Sequence, residues 1–239
     1  MNLTLTLIFV ASGFLVGSVP FALIIGLAKG TDIRTVGSKN PGATNLGRHL
    51  GFKWFVLCFL LDATKGLAPT LAFGLMTGAI GELAIEPAHA FAWLAVMISP
   101  VLGHMFSPWI GFKGGKGVAT GLGALLGVFP MLTIPAIGAF VVFGATLGLW
   151  RYVGLSSALA AGTLPVWVWY FGENFRRAVT QDQPPTTWPY LVVSIGLAAL
   201  VIYKHRGNIS RVAQGTEPKI LSSLDTDSPK TDSSDNPSP

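Results

Sequence analysis

Charge is what this sequence lacks most. Asp, Glu, Lys and Arg make up 11% of its 239 residues, against about 25% in ordinary soluble domains. Hydrophobic residues make up 51%, and the mean hydropathy is +0.57. A soluble globular enzyme is excluded on those grounds, and a membrane protein is indicated. Cysteine is nearly absent. The single Cys58 cannot form an intramolecular disulfide, and it sits in an apolar run where a packed thiol is expected. No Lys or Arg precedes Lys29, so the basic n-region of a signal peptide is missing, and the apolar stretch 3–27 is read as a retained first span. A soluble domain with a basic face is also missing. The net charge of +5 and the pI near 9.5 therefore do not point to nucleic acid.

What is present is a series of seven apolar segments, roughly 3–27, 53–78, 88–110, 117–130, 131–150, 153–172 and 187–204. This predicts an all-α integral membrane protein of seven transmembrane helices. The fourth segment is short. At about 1.5 Å per residue it reaches only about 21 Å, less than a hydrocarbon core of about 30 Å, so it is expected to start part-way into the membrane. Seven spans place alternate loops on opposite sides. Of the 16 Lys and Arg residues, 13 then fall on one side; only Arg176 and Arg177 fall on the other, and Lys65 lies within the second segment. The positive-inside rule makes the rich side cytoplasmic, with the N-terminus outside and the C-terminus inside. Residues 1–220 are read as the membrane domain. The Ser/Asp/Pro-rich tail 221–239 is read as disordered, because it has almost no side chains able to form a core.

Within this charge-poor chain, residues 111–120 read GFKGGKGVAT. Two lysines and four glycines open the short fourth segment. Glycines let a backbone approach an anion closely, a helix N-terminus adds unpaired N–H donors, and lysine adds a point charge. The loop is no Walker A motif: the glycine spacing fails, and Lys116 is followed by Gly117 rather than Ser or Thr. Two further polar stretches fall on the same side. GSKNPGATNLGRHLG at 37–51 is rich in small polar residues suited to a backbone nest or a helix cap. YKHRGNISRVAQGTEPKI at 203–220 brings His205, Arg206 and Asn208 directly after the last span. A polar, cationic, glycine-rich set at one membrane face suits an anionic water-soluble substrate. Asp62 and Lys65, spaced i, i+3 inside the second segment, are expected to pair structurally near the interface.

Taken together, these stretches resemble the bacterial acyl-phosphate:glycerol-3-phosphate acyltransferases, the PlsY family. The resemblance runs through GSVPF at 17–21, DIRTVGSKNPGATNLGRHLG, LDATKG at 61–66, GHMFSPWIGFKGGKGVATGLG at 103–123 and HRGNISRVAQGTEPKI. It implies a seven-helix enzyme of the bacterial cytoplasmic membrane with its active site facing the cytoplasm. The implied reaction moves an acyl group from acyl phosphate to the 1-hydroxyl of sn-glycerol 3-phosphate, giving lysophosphatidic acid and inorganic phosphate as the first acylation of phospholipid synthesis. No metal or cofactor is implied, and a functional link to the enzyme that makes acyl phosphate is.

The same resemblance assigns roles. Ser38, Arg48, Lys116, His205 and Asn208 form the implied catalytic set. Asn40, Gly42, Thr44 and Asn45, together with Lys113, Gly114, Gly115, Gly117 and Ser157, are the implied substrate and phosphate binders, and Glu217 supports them. Lys39 and Pro41, Gly154 and Gly207 depart from the family's usual residues. No G-x-S-x-G elbow is present, so direct attack by the glycerol hydroxyl is expected, without an acyl-enzyme. The proton goes to His205 or to a substrate phosphate oxygen. The main rival is a transporter of a phosphorylated metabolite. The absence of a visible internal repeat and the gathering of polar motifs at one face argue against it.

Overall fold

The computed structural model describes residues 2–179 and 186–220. The side chains of Arg176 and Arg177 and the tail from 221 lie outside the described residues. All regular structure among the described residues is helical: α1 Leu3–Ser18, α2 Phe21–Ala28, α3 Ala43–Leu50, α4 Phe52–Met76, α5 Pro87–Met105, α6 Val118–Leu126, α7 Thr133–Trp150, α8 Val153–Val179 and α9 Trp188–Ala213, with a single 3₁₀ turn at Pro108–Ile110.

Six stretches among the described residues, rather than the seven expected, are long and apolar enough to cross a membrane: Leu3–Ala28, Phe52–Met76, Pro87–Ile110, Thr133–Trp150, Val153–Phe175 and Trp188–Ala213. The missing one is α6, whose nine residues rise only about 14 Å. The chain still reaches the opposite end of the bundle beyond it, because Gly81 N donates to Phe129 O at 3.0 Å and joins the α6–α7 turn to the α4–α5 turn. The first segment is also not one helix. Pro20 has no N–H to continue the ladder, and α1 stops at Ser18. The carbonyls freed there find side-chain donors: Ser107 Oγ donates to Ser18 O at 2.6 Å, and Lys65 Nζ donates to Val19 O at 2.7 Å.

Small residues let the helices approach closely. A Cβ on Gly17 would lie 2.2 Å from Pro100 O, and one on Gly103 would lie 2.1 Å from Phe14 O, so α1 and α5 meet backbone to backbone. Helices α4 and α6 meet in the same way at Gly66 and Gly123, and Gly127, just after α6, packs on the Thr70 side chain. Of the two G-x-x-x-G pairs in the sequence, Gly123/Gly127 faces α4, while Gly121 has nothing within 4 Å. The main core packs Trp93, Met97, Met105, Leu132 and Tyr190, all fully buried. Trp93 satisfies its indole N–H on Thr70 O at 2.9 Å. A smaller cluster, including Ile33, Leu46 and Cys58, packs under the α2–α3 region.

Candidate functional site

The three polar stretches meet at one end of the bundle. The first becomes a loop followed by α3. Asn45, buried, braces that loop: its side-chain amide donates to Ile33 O and Val36 O at 2.9 and 3.2 Å, and its Oδ1 accepts from Ser38 N at 3.1 Å. The third stretch is mostly helix. Helix α9 continues nine residues past the expected end of the last span, because nothing in KHRGNISRV stops it. His205, Asn208 and Arg211, at i, i+3 and i+6, share one face. After α9 the chain doubles back. Arg48 donates to Pro218 O at 3.0 Å, and Ile220 N donates to Arg151 O at 2.8 Å.

These elements enclose a cavity of about 360 Å³. Polar side chains of Ser38, Asn40, Thr44, Arg48, Lys116 and His205 line it, with Asn208 and Glu217 beside them. Its lining runs along α4 from Phe52 to Asp62, about 15 Å at the helical rise. The site is therefore elongated along α4. A smaller apolar slot of about 100 Å³ lies beside it between α6, α7, α8 and α9. Phe59, Gly117, Val118, Phe140, Phe143 and Ser157 border both spaces.

One hydrogen-bonded chain orders the polar wall. Arg211 Nε donates to Glu217 Oε2 at 2.7 Å, Asn208 Nδ2 donates to Glu217 Oε1 at 2.6 Å, and Lys116 Nζ donates to Asn208 Oδ1. The chemistry dictates the amide's orientation. A carboxylate only accepts and an ammonium only donates, so Nδ2 must face Glu217 and Oδ1 must face Lys116. An ammonium has three N–H donors, which leaves Lys116 two for an anion. Burial pushes Lys116 down to about 8, Arg211 and Arg48 nearby act in the same direction, and Glu217 opposes them. Burial also lowers Arg48, again opposed by Glu217. His205, 2% exposed, donates from Nδ1 to Val201 O at 2.8 Å. A carbonyl only accepts, so this contact fixes the tautomer and leaves the Nε2 lone pair free.

The glycine loop is used differently from the expectation that its amides cradle an anion. Gly114 N donates to Met105 O and Gly115 N to His104 O, both at 3.2 Å. A Cβ on Gly114 would lie 1.9 Å from His104 O. Gly114 and Gly115 thus seat the loop on the end of α5 and do not line the cavity, and Lys113 is exposed outside it. Gly117 does line it, at φ +76, where a left-handed turn opens α6. The unpaired N–H groups of the first turn of α6 belong to Val118 and Ala119, which face the same space. Gly42 lines the cavity too, and Ser157 lies at the junction with the slot.

Asp62 and His104, both buried, also line the cavity. Neither was picked out as a site residue. The only signal was the cost of a carboxylate inside an apolar run; His104 has none beyond its place in GHM. The departures are also accommodated. Lys39 takes φ +56, a conformation glycine adopts without strain. Gly154 leaves room for Asn208, whose Cγ would lie 2.6 Å from an added Cβ. Gly207 is exposed in mid-helix, and an added Cβ would meet only Arg211 NH1, at 3.5 Å. Gly207→Ala is therefore expected to stabilise the protein by about 0.5–1 kcal/mol, read as a small rise in Tm with acyl transfer unchanged.

Comparison with known proteins places this geometry. Residues 7–215 match the profile of a family described as Glycerol-3-phosphate acyltransferase. The glycerol-3-phosphate acyltransferase of Trichlorobacter lovleyi is 38% identical over 218 residues, 91% of this chain and 99% of its own. That of Geobacter sulfurreducens is 38% identical over 215 residues, 90% of this chain and 97% of its own. The crystal structure of PlsY (YgiH), an integral membrane glycerol 3-phosphate acyltransferase, in its glycerol 3-phosphate form matches with a TM-score of 0.76 and 35% identity, over 92% of this chain and 97% of that one. Its lysophosphatidic acid form matches with a TM-score of 0.73 and 34% identity, over 90% of this chain and 94% of that one.

Proposed function

Because the chain belongs to the glycerol-3-phosphate acyltransferase family, PlsY, we propose that it acylates the 1-hydroxyl of sn-glycerol 3-phosphate with acyl phosphate as donor, releasing lysophosphatidic acid and inorganic phosphate. One observation carries this reading. A cavity with Lys116 and Arg48 on one wall and phenylalanines on another shares Phe59, Gly117, Phe143 and Ser157 with an apolar slot beside it. That shape suits a substrate with a phosphate head and a hydrocarbon tail. The slot runs down α8 from Ser157 to Leu164, about 10 Å at the helical rise, and would take the acyl chain.

In this reading Lys116 and Arg48 hold the two phosphates together against their repulsion, which orients the hydroxyl toward the acyl carbon. The glycerol oxygen forms the new C–O bond, the bond from acyl carbon to phosphate oxygen breaks, and the phosphate leaves. Lys116 and the open amides at the start of α6 stabilise the charge that develops on the acyl phosphate. The hydroxyl proton passes to His205 Nε2 or to a phosphate oxygen. No side chain need form an acyl intermediate, because acyl phosphate is already activated. In this reading the cavity faces the cytoplasm from a bacterial inner membrane, and the charge asymmetry of the loops supports that orientation.

The test is purified protein in lipid, supplied with palmitoyl phosphate and glycerol 3-phosphate, following lysophosphatidic acid and free phosphate. Equal yields of both without coenzyme A are expected; no transfer by folded protein would sink the reading. A pH dependence follows from Lys116. Its lowered value means the ammonium is lost as pH rises through about 8. An anion site needs that charge, so kcat/KM should be level below pH 8 and fall about tenfold per pH unit well above it. A profile still level at pH 9.5 would show that the charge on Lys116 is not required.

A further inference from the structure

Beneath the cavity lies a buried charge cluster that the proposed chemistry does not use. Lys65 Nζ lies 2.7 Å from Asp62 Oδ1, and His104 Nδ1 lies 3.6 Å from the same oxygen. Cys58 Sγ lies 3.7 Å from Asp62 Oδ2. Asp62 is 2% exposed, Lys65 3% and His104 8%. Stability gives weak grounds for such a cluster, since buried ion pairs are often no better than apolar packing, and charge within a membrane segment is costly.

Its connections show what it holds. The other face of His104 meets the glycine loop: a Cβ on Gly115 would lie 2.2 Å from His104 Nε2. Gly115 precedes Lys116, and its N–H is bonded to the carbonyl of His104 itself. The same loop is tethered upstream. Ser107 Oγ donates to Ser18 O at 2.6 Å, and Trp109 Nε1 donates to Ser18 Oγ at 2.7 Å. Lys65, the partner of Asp62, donates to Val19 O, the next residue at the same helix break. The Asp62–Lys65 pair therefore ties α4 to the α1–α2 break, and the imidazole that faces the same carboxylate at 3.6 Å from α5 is the seat of the lysine loop.

We propose that Asp62, acting through His104, is a positioning residue that fixes the Lys116 ammonium at its depth in the cavity. The proposal rests on the functional reading only in making Lys116 the residue worth positioning. When the His104 ring loses its place, the glycine pair keeps its two backbone bonds to α5 but loses the imidazole packed against Gly115, and Lys116 moves toward solvent and away from Asn208.

The test reads Lys116 itself. Purified protein in lipid is labelled with trace acetic anhydride across a pH series, and Lys116 modification is quantified by mass spectrometry in wild type, His104→Gln and the charge-free pair Asp62→Leu/Lys65→Met. The pair variant leaves no unpaired buried charge and guards against misfolding. The environment of Lys116 includes Arg48, Arg211, Glu217 and His205, none of which the variants alter. In both variants the labelling midpoint should rise by at least one pH unit toward that of an exposed lysine. In acyl transfer, His104→Gln should cost at least tenfold alone, but less than twofold when added to Lys116→Ala, because it acts through that residue. A midpoint unchanged in folded variants, or a full further loss in the Lys116→Ala background, overturns the proposal. Wild-type protein that transfers no acyl group overturns the functional reading alone, and the labelling midpoint still decides the positioning.

Discussion

Lys116→Ala is expected to lower kcat/KM for acyl transfer by about 10²–10³, with the protein still folded. The magnitude is that of removing one preorganised donor from developing charge, about 2.7–4 kcal/mol. Three features place Lys116 at that level. Among the described residues it is the one lysine lining the cavity. Its ammonium is held by Asn208 Oδ1, at the end of the chain that runs through Glu217 to Arg211. It also directly precedes the αL residue Gly117 that opens α6, so side-chain charge and helix-terminal donors converge. Lys116→Arg should not restore activity. A guanidinium is larger and planar and cannot present the same compact charge beside Asn208 Oδ1. Stability should barely change, since the variant removes a charge that is largely buried. The check is steady-state kinetics beside a melting curve. A loss below tenfold in folded Lys116→Ala would remove this residue from the chemistry.

The parts of this site that could be read from the sequence are those set by composition and local pattern. Scarcity of charge showed the membrane, the uneven loop cations grouped the three polar stretches at one face, and the i, i+3 spacing of Asp62 and Lys65 foretold their 2.7 Å pair. What stayed hidden depends on tertiary packing. GSVPF reads as part of a continuous apolar run, yet Pro20 ends α1 there, because Lys65 and Ser107 arrive from other helices to bond the freed carbonyls. The amides of Gly114 and Gly115 look like anion donors when only the loop is considered. They are taken by carbonyls of α5, contacts between residues nine and eleven positions apart. His104 has no local mark at all. It joins the site only because α5 and the loop that follows it pack antiparallel beside α4. The length of α9 was underestimated for another reason: polar residues after an apolar run mark the end of a span, but they do not end a helix.

Gly123→Ala should be among the most destabilising single-methyl additions in the protein, and it should inactivate the site from a distance. The added Cβ would lie 1.9 Å from Ala63 O and 2.7 Å from Ala63 C. These are backbone atoms of α4, so no rotamer change can relieve the overlap. From the other side, a Cβ on Gly66 would lie 2.1 Å from Thr120 O. The two helices therefore have no slack in either direction, and α6 must shift outward. Overpacking of this kind costs about 1–3 kcal/mol, sometimes more. At about 2–4 °C per kcal/mol for a chain of this size, Tm should fall by several degrees. Gly121→Ala is the matched control. It lies in the same helix two residues away with nothing within 4 Å of its Cβ, so removal of a mid-helix glycine should leave Tm level or raise it slightly. Activity should separate the two variants further. Helix α6 has only nine residues, and its first turn borders the cavity beside Lys116, so an outward shift at Gly123 displaces Gly117 and Val118 from the junction with the slot. Gly123→Ala should lose acyl transfer well below its melting temperature, and Gly121→Ala, whose methyl only narrows the apolar slot, should keep transfer of short acyl chains. Equal melting curves for the two variants would mean that α4 and α6 do not rely on this contact.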